Sequence, residues 1–136
     1  MLLQCKRKCG MNGIDYMADT NALIYLLSGD SCMKSYLASY IGLSVISEIE
    51  LLSFPGITSF EEQQIRSFIK DCTVLFLTEN VKNKTIALRR SYKIKLPDAI
   101  IAATAIENNL PLITADKGFK QIAELDLALI EPEHQK

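Results

Sequence analysis

The sequence predicts an α/β domain built on a central, mainly parallel sheet of four to five strands. Two observations lead there. Short β-branched runs alternate with helical stretches along the chain, which is the pattern of strand–helix–strand units. At 136 residues, with 49% of positions hydrophobic and 23% charged, there is enough apolar surface for one well-filled core and no reason to expect a second domain. No internal repeat, low-complexity tract or long linker interrupts the pattern.

Ile14 to Ala18 reads as strand one, and ADTNALIYLL turns at once into a buried helix from about Thr20. Asp19, Thr20 and Asn21 form a polar step between two apolar segments. An Asp or Thr oxygen there can cap the first free N–H groups of the helix. The carboxyl end of a strand in an open α/β sheet is also where ligands bind. After the break at Ser28-Gly29-Asp30, Ser31 to Tyr40 reads as a second short helix, and LSVI (Leu43 to Ile46) as strand two. A helix is expected from Ser47 until Phe54-Pro55-Gly56, where proline and glycine stop it. Thr58 or Ser59 caps the next helix, which places Ile65, Phe68 and Ile69 on one face. Cys72 to Leu77 is strand three. Helices follow at about Glu79 to Tyr92 and Pro97 to Asn108, then strand four at Leu112 to Thr114 and a fifth at Leu127 to Ile130. Residues 1–10 do not fit the scheme and read as an extension, with Met11 an equally sensible start. The single domain is expected over 11–131, and the tail 132–136 should fray.

The net charge of −1 argues against a generally basic surface for nucleic acid, although the local distribution of charge decides steering. VKNKTIALRRSYKIKLP carries Lys82, Lys84, Arg89, Arg90, Lys93 and Lys95 with no acid. It is either a solvated helix face plus loop or a phosphate-binding surface. Cys5, Cys9, Cys32 and Cys72 are scattered, and the lone C-x3-C has no second ligand pair. They read as small hydrophobes or idle thiols, without disulfides. No apolar run reaches membrane-span length, and MLLQCKRKCG has too short an apolar segment for a signal peptide. A cytoplasmic protein with no membrane partner is expected.

Acids recur where elements meet. Asp19 ends strand one, Glu48 and Glu50 follow strand two, Asp98 opens LPDAIIAATA, and Asp116 follows strand four in LITADKGF. Each alone is explained by the positive end of a helix dipole. In a parallel sheet, however, all would converge at one end, and like charges that close repel unless cations sit between them. Glu48 and Glu50 are two residues apart, about 200° around a helix, and cannot share one pocket. Ser47 to Glu50 also fits the S-x-x-E capping box, which would make Glu50 structural. Spacing alone leaves that pair open.

ADTNALI, SVISEIELL, LPDAIIAATA and LITADKGF, in this order and at these separations, resemble a PIN-domain protein of the VapC-type toxin ribonuclease family. The resemblance spans roughly residues 14–120. It implies a PIN-like three-layer α/β/α sandwich. It also implies that Asp19, Glu50, Asp98 and Asp116 are the catalytic and metal-holding acids, with Glu50 rather than Glu48 in the family's position. Asn21 and Thr114 match residues that usually line the same pocket. The departures are the extension through Gly10 and the additional Glu48. The implied activity is Mg²⁺- or Mn²⁺-dependent RNA cleavage leaving 5′-phosphate and 3′-hydroxyl ends, by a toxin that commonly dimerises and is inhibited by a cognate antitoxin. Arg89, Arg90, Lys93 and Lys95 become candidates for RNA contact.

Chemistry agrees with that implication. Carboxylate oxygens are hard ligands suited to Mg²⁺ or Mn²⁺, and the only histidine, His134, lies in the tail, so no histidine acid–base pair is available. A haloacid-dehalogenase-type phosphatase wants D-x-D-x-T, whereas DTNAL lacks the second Asp. A phospho-receiver wants an aspartate at the end of strand three, where Leu77-Thr78 stands. No P-loop or dinucleotide glycine pattern exists. The readings that compete with the toxin are a PIN-like binding module whose acids are relics, and a DNA nuclease or RNA-processing PIN protein outside toxin–antitoxin systems.

Overall fold

The computed structural model describes residues 13–133. The expectations for residues 1–10, for Met11, and for Cys5, Cys9 and His134 lie outside the described residues. Five strands, β1 (Tyr16–Ala18), β2 (Ile41–Ser44), β3 (Thr73–Leu75), β4 (Leu112–Thr114) and β5 (Leu127–Leu129), form one sheet in the order β3-β2-β1-β4-β5. Every adjacent pair is parallel, with Met17 in register with both Gly42 and Leu112. All carboxyl ends therefore lie along one edge. The helices are α1 (Thr20–Ser28), α2 (Val45–Leu52), α3 (Ser59–Lys70), α4 (Glu79–Ser91) and α5 (Leu96–Glu107), with 3-10 turns at Ser31–Tyr36 and Lys117–Gln121.

The period-two alternation of strand side chains divides the core into two layers. Ala18, Ile41, Leu43 and Ile113 pack with Leu23, Leu26, Leu51 and Phe68 of α1, α2 and α3. Met17 and Leu112 point the other way, against Val81, Leu88, Ile101 and Ala105 of α4 and α5. The result is the three-layer α/β/α arrangement that the resemblance implies. Ala99 to Ala105 of α5 are buried all round, so its alanines let neighbouring elements approach closely. Pro97 is tolerated in the first turn, where its missing N–H would have no intrahelical partner anyway.

Several boundaries differ from the sequence reading. Val45 and Ile46 are β-branched and look like strand, yet Ser44 Oγ accepts the Ile46 N–H at 3.0 Å and α2 starts there. Ser47 consequently lies inside α2 with no exposed surface, and no capping box joins it to Glu50. The box that forms is at α3, between Thr58 and Glu61, with both contacts at 3.0 Å. The helix expected over Ser31 to Tyr40 is a 3-10 turn that ends at Tyr36. Strand β3 stops at Leu75 and leaves Phe76 and Leu77 exposed. Of the expected tail, Pro132 is buried and the Glu133 N–H donates to the Asp30 carboxylate at 3.2 Å. Residues 134–136 lie outside the described residues. Among the described residues, no helix is long and apolar enough to cross a membrane.

Candidate active site

Asp19 leaves β1 and caps α1. Its Oδ1 accepts the Ala22 N–H at 2.9 Å, while Oδ2 accepts the Thr114 hydroxyl at 2.5 Å. Capping and site-building therefore coexist in one side chain. Thr114, the fully buried last residue of β4, also accepts the Asp116 N–H on its Oγ1 at 3.0 Å. One hydroxyl thus ties the acid after β1 to the turn after β4. Asp116 is exposed, and its Oδ1 accepts the Gly118 N–H at 2.8 Å. A Cβ at Gly118 would lie 3.0 Å from that oxygen, so any side chain there would press on Asp116.

Glu50 comes from α2 rather than from a strand end. Thr20 Oγ1 donates to its Oε1 at 2.6 Å, and Thr20 Oγ1 also lies 2.8 Å from Ser47 Oγ. Asp98 comes from the first turn of α5. Asp19, Glu50, Asp98 and Asp116 together line a cavity of about 460 Å³, which Asn21, Ile49, Phe54, Ile101 and Phe119 also border. Glu48 is half-buried and does not line it. Lys93 and Lys95 border a smaller adjoining cavity of about 230 Å³ that shares Asp98, Asp116 and Phe119 with the first. Arg89 and Arg90 are exposed in the last turn of α4 and line neither cavity. Lys82 and Lys84 pair with Glu79 and Glu124, which offsets part of their charge at the surface.

Burial pushes the Asp19 carboxyl above its ordinary value of 3.8. The Thr114 and Ala22 hydrogen bonds oppose that shift, and the charges of Asp98 and Asp116 add to it. Burial likewise raises Asp98, helped by Asp116 and Glu50 and opposed by Lys95. Both groups bind protons more readily folded than unfolded, so their ionisation destabilises the fold as pH rises through the raised values. This is the reverse of the usual carboxylate case. In EDTA, Asp98→Asn should melt above wild type at pH 7, and the gap should close as pH falls toward 4. A gap independent of pH would show that Asp98 carries no such strain.

The donor set suits a hard divalent ion. Among the described residues, no three acidic, histidine or cysteine side chains are gathered into a finished ion cage. The carboxylates form a rim instead, each tethered or held apart by like charge. Mg²⁺ keeps several waters and is held by one or two carboxylates plus substrate phosphate oxygens, so a rim fits it. The Cys32 thiol, by contrast, is pushed up to about 11 by burial and by Asp30 and makes a poor nucleophile.

The model of the PIN domain family matches residues 16–125. The chain belongs to the PIN domain family. This PIN domain is 34% identical to a chain of a toxin–antitoxin complex from Klebsiella pneumoniae, covering 82% of this chain and 95% of that one, at a TM-score of 0.70. Its fold also matches VapBC2 from Rickettsia felis, a complex bound to a DNA fragment from its promoter, at 22% identity and TM-score 0.77, over 87% of this chain and 100% of that one. VapBC-1 from nontypeable Haemophilus influenzae matches at 24% identity and TM-score 0.75, over 85% and 98%. No curated protein sequence matches this chain.

The sequence reading missed Thr20 and Ser47 as members of the site. The signal was present: Ser47 lies three residues before Glu50, on the same face of α2, and Thr20 is the residue next to Asp19. Ser47 fits a helix cap equally well in the sequence, and only the structure shows that Ser44 supplies that cap and leaves Ser47 free to face Thr20.

Proposed function

We propose that this PIN domain is a Mg²⁺- or Mn²⁺-dependent endoribonuclease, the toxin of a type II toxin–antitoxin pair, acting in the cytoplasm as a homodimer. The observation that carries the reading is the meeting of four carboxylates from four separate segments on one cavity at the carboxyl edge of a parallel sheet. Asp19, Glu50 and Asp98 would hold the ion, and Asp116 would complete the site directly, through water or through a second ion. A bound divalent ion would supply charge stabilisation to phosphate oxygens and acidify a water for attack on phosphorus. Asn21 offers an amide at the rim, while Ile49, Phe54, Ile101 and Phe119 supply the apolar walls that strengthen local electrostatics. The product ends would be 5′-phosphate and 3′-hydroxyl.

The test is cleavage of total RNA by the purified protein with and without metal, beside thermal melts. At about a hundredfold excess of Mn²⁺ over Kd, the folded state should gain roughly 2.7 kcal/mol. Identical melts in EDTA and in millimolar metal, with no cleavage, would leave the binding-module reading in its place. If Arg89, Arg90, Lys93 and Lys95 contact phosphates, RNA affinity should fall with salt at about 0.7 log units per contact for each tenfold change. Neutralising two of them should flatten the slope, and an unchanged slope would make this segment a solvated face.

For the antitoxin we propose a docking surface beside the site. A groove of about 840 Å³ runs between α1, α2 and α3, bordered by Ile24, Leu27, Leu51, Phe54, Phe60, Ile65 and Phe68. Ile24, Phe54 and Phe60 are 45%, 43% and 67% exposed, a contiguous apolar patch of the kind that marks a partner site. The groove shares Thr20, Glu50 and Phe54 with the carboxylate cavity.

A further inference from the structure

We propose that Ser47 and Thr20 are positioning residues forming a one-way hydroxyl relay that orients Glu50 for ion binding; this rests on the metal-nuclease reading above. An ionised carboxylate can only accept, so the 2.6 Å contact between Thr20 Oγ1 and Glu50 Oε1 uses the single proton of Thr20. The 2.8 Å contact between Thr20 Oγ1 and Ser47 Oγ then has one possible donor, Ser47. Donation runs from Ser47 to Thr20 to Glu50, and each hydroxyl polarises the next toward the carboxylate. The 2.6 Å length is that of a charge-assisted O–H···O⁻ bond.

The two ends of the relay sit in opposite environments. Ser47 has no exposed surface, whereas Glu50 is exposed at the rim. A buried anchor thereby holds a long, solvated side chain that would otherwise lose rotamer freedom each time it bound an ion. The relay occupies Oε1 and leaves Oε2 to face a ligand. Because Thr20 follows Asp19 in the chain, the same contacts set the spacing between two of the acids. A plain packing contact between α1 and α2 would account for Ser47 and Thr20 meeting. It would not account for the short contact onward to an exposed carboxylate.

The experiment is a Mn²⁺ titration followed by electron paramagnetic resonance, without RNA, on wild type, Thr20→Val, Thr20→Ser, Ser47→Ala and the Thr20→Val/Ser47→Ala double variant. Metal-free melts serve as the folding control. Thr20→Val should weaken Mn²⁺ binding at least about tenfold, the scale of losing a hydrogen-bond partner behind a metal ligand. Thr20→Ser should restore it, and Ser47→Ala should show a smaller loss. The double variant should bind no more weakly than Thr20→Val, because Ser47 acts only through Thr20. Wild-type affinity in Thr20→Val, or additive losses in the double variant, would overturn the relay. A wild type that binds no Mn²⁺ overturns the metal-nuclease reading itself and the relay with it. Should Thr20→Val fail to fold, Thr20→Ala takes its place with the same expected loss.

Discussion

Asp19→Asn, Glu50→Gln and Asp98→Asn are each expected to lower metal-dependent RNA cleavage by at least about a hundredfold, the scale of losing one electrostatic contact to a transition state. Each substitution keeps the shape of the side chain and removes one unit of charge from the cavity rim. Metal-free stability should hold level or rise for Glu50→Gln and Asp98→Asn, most clearly for Asp98→Asn, whose charge is opposed by burial and by Asp116 and Glu50. Asp19→Asn replaces an oxygen that accepts the buried Thr114 hydroxyl with a donor and should lose stability. Glu48→Gln is the control. It changes an acid of the same helix that stays outside the cavity, and should cost at most a few tenths of a kcal/mol from the helix dipole. Cleavage of total RNA and growth arrest on induction, measured for each variant, decide the matter. An inactive Glu48→Gln beside an active Glu50→Gln would move the site by two residues. A wild type that cleaves nothing would transfer the protein to the binding modules.

The second large effect should appear in the complex with the antitoxin. Ile24→Glu and Phe60→Glu put a charge on the groove between α1, α2 and α3, and each should weaken antitoxin binding by about 2 kcal/mol or more, the usual scale of an interface hot spot. That corresponds to roughly a thirtyfold rise in Kd. Ile86→Glu changes a side chain on α4 that is 45% exposed but borders none of the three cavities. It should leave the affinity unchanged. Titration calorimetry with the antitoxin, supported by melts of each free variant, separates these cases. Equal losses at Ile24, Phe60 and Ile86 would mean that charge anywhere on the surface disturbs the complex, and the groove would lose its assignment.

Element order, the parallel sheet and the division into helical layers were legible because they depend on periodicity, and α3 declares itself through Ile65, Phe68 and Ile69 on one face. The boundary between β2 and α2 was not legible. Val45 and Ile46 have strand propensity, and the cap that overrides it is a single hydrogen bond from the Ile46 N–H to Ser44 Oγ, Ser44 being one of two serines three residues apart. That the acids gather at one edge followed from parallel strands, but the choice of Glu50 over Glu48 rested on the family resemblance, because spacing left that pair open. The groove was not legible, because it arises only when the exposed side of α3 is brought against Ile24 and Phe54, residues from elements far apart in the chain. The relay behind Glu50 escaped for a related reason: its middle member comes from a different helix than its ends.

The hydrogen bond from Thr114 to Asp19 joins residues 95 positions apart, and that separation has a bearing on how the protein is made. Parallel pairing between β1 and β4 requires a long closure, and contacts of such range form slowly compared with helices and hairpins. A growing polypeptide that ends before Leu112 lacks β4, so it has neither the hydroxyl that holds Asp19 nor the turn that bears Asp116. None of its shorter nascent forms can assemble the four-acid rim. Whatever chemistry the rim performs is thus withheld until nearly all of the domain has been made and its first and fourth strands lie side by side.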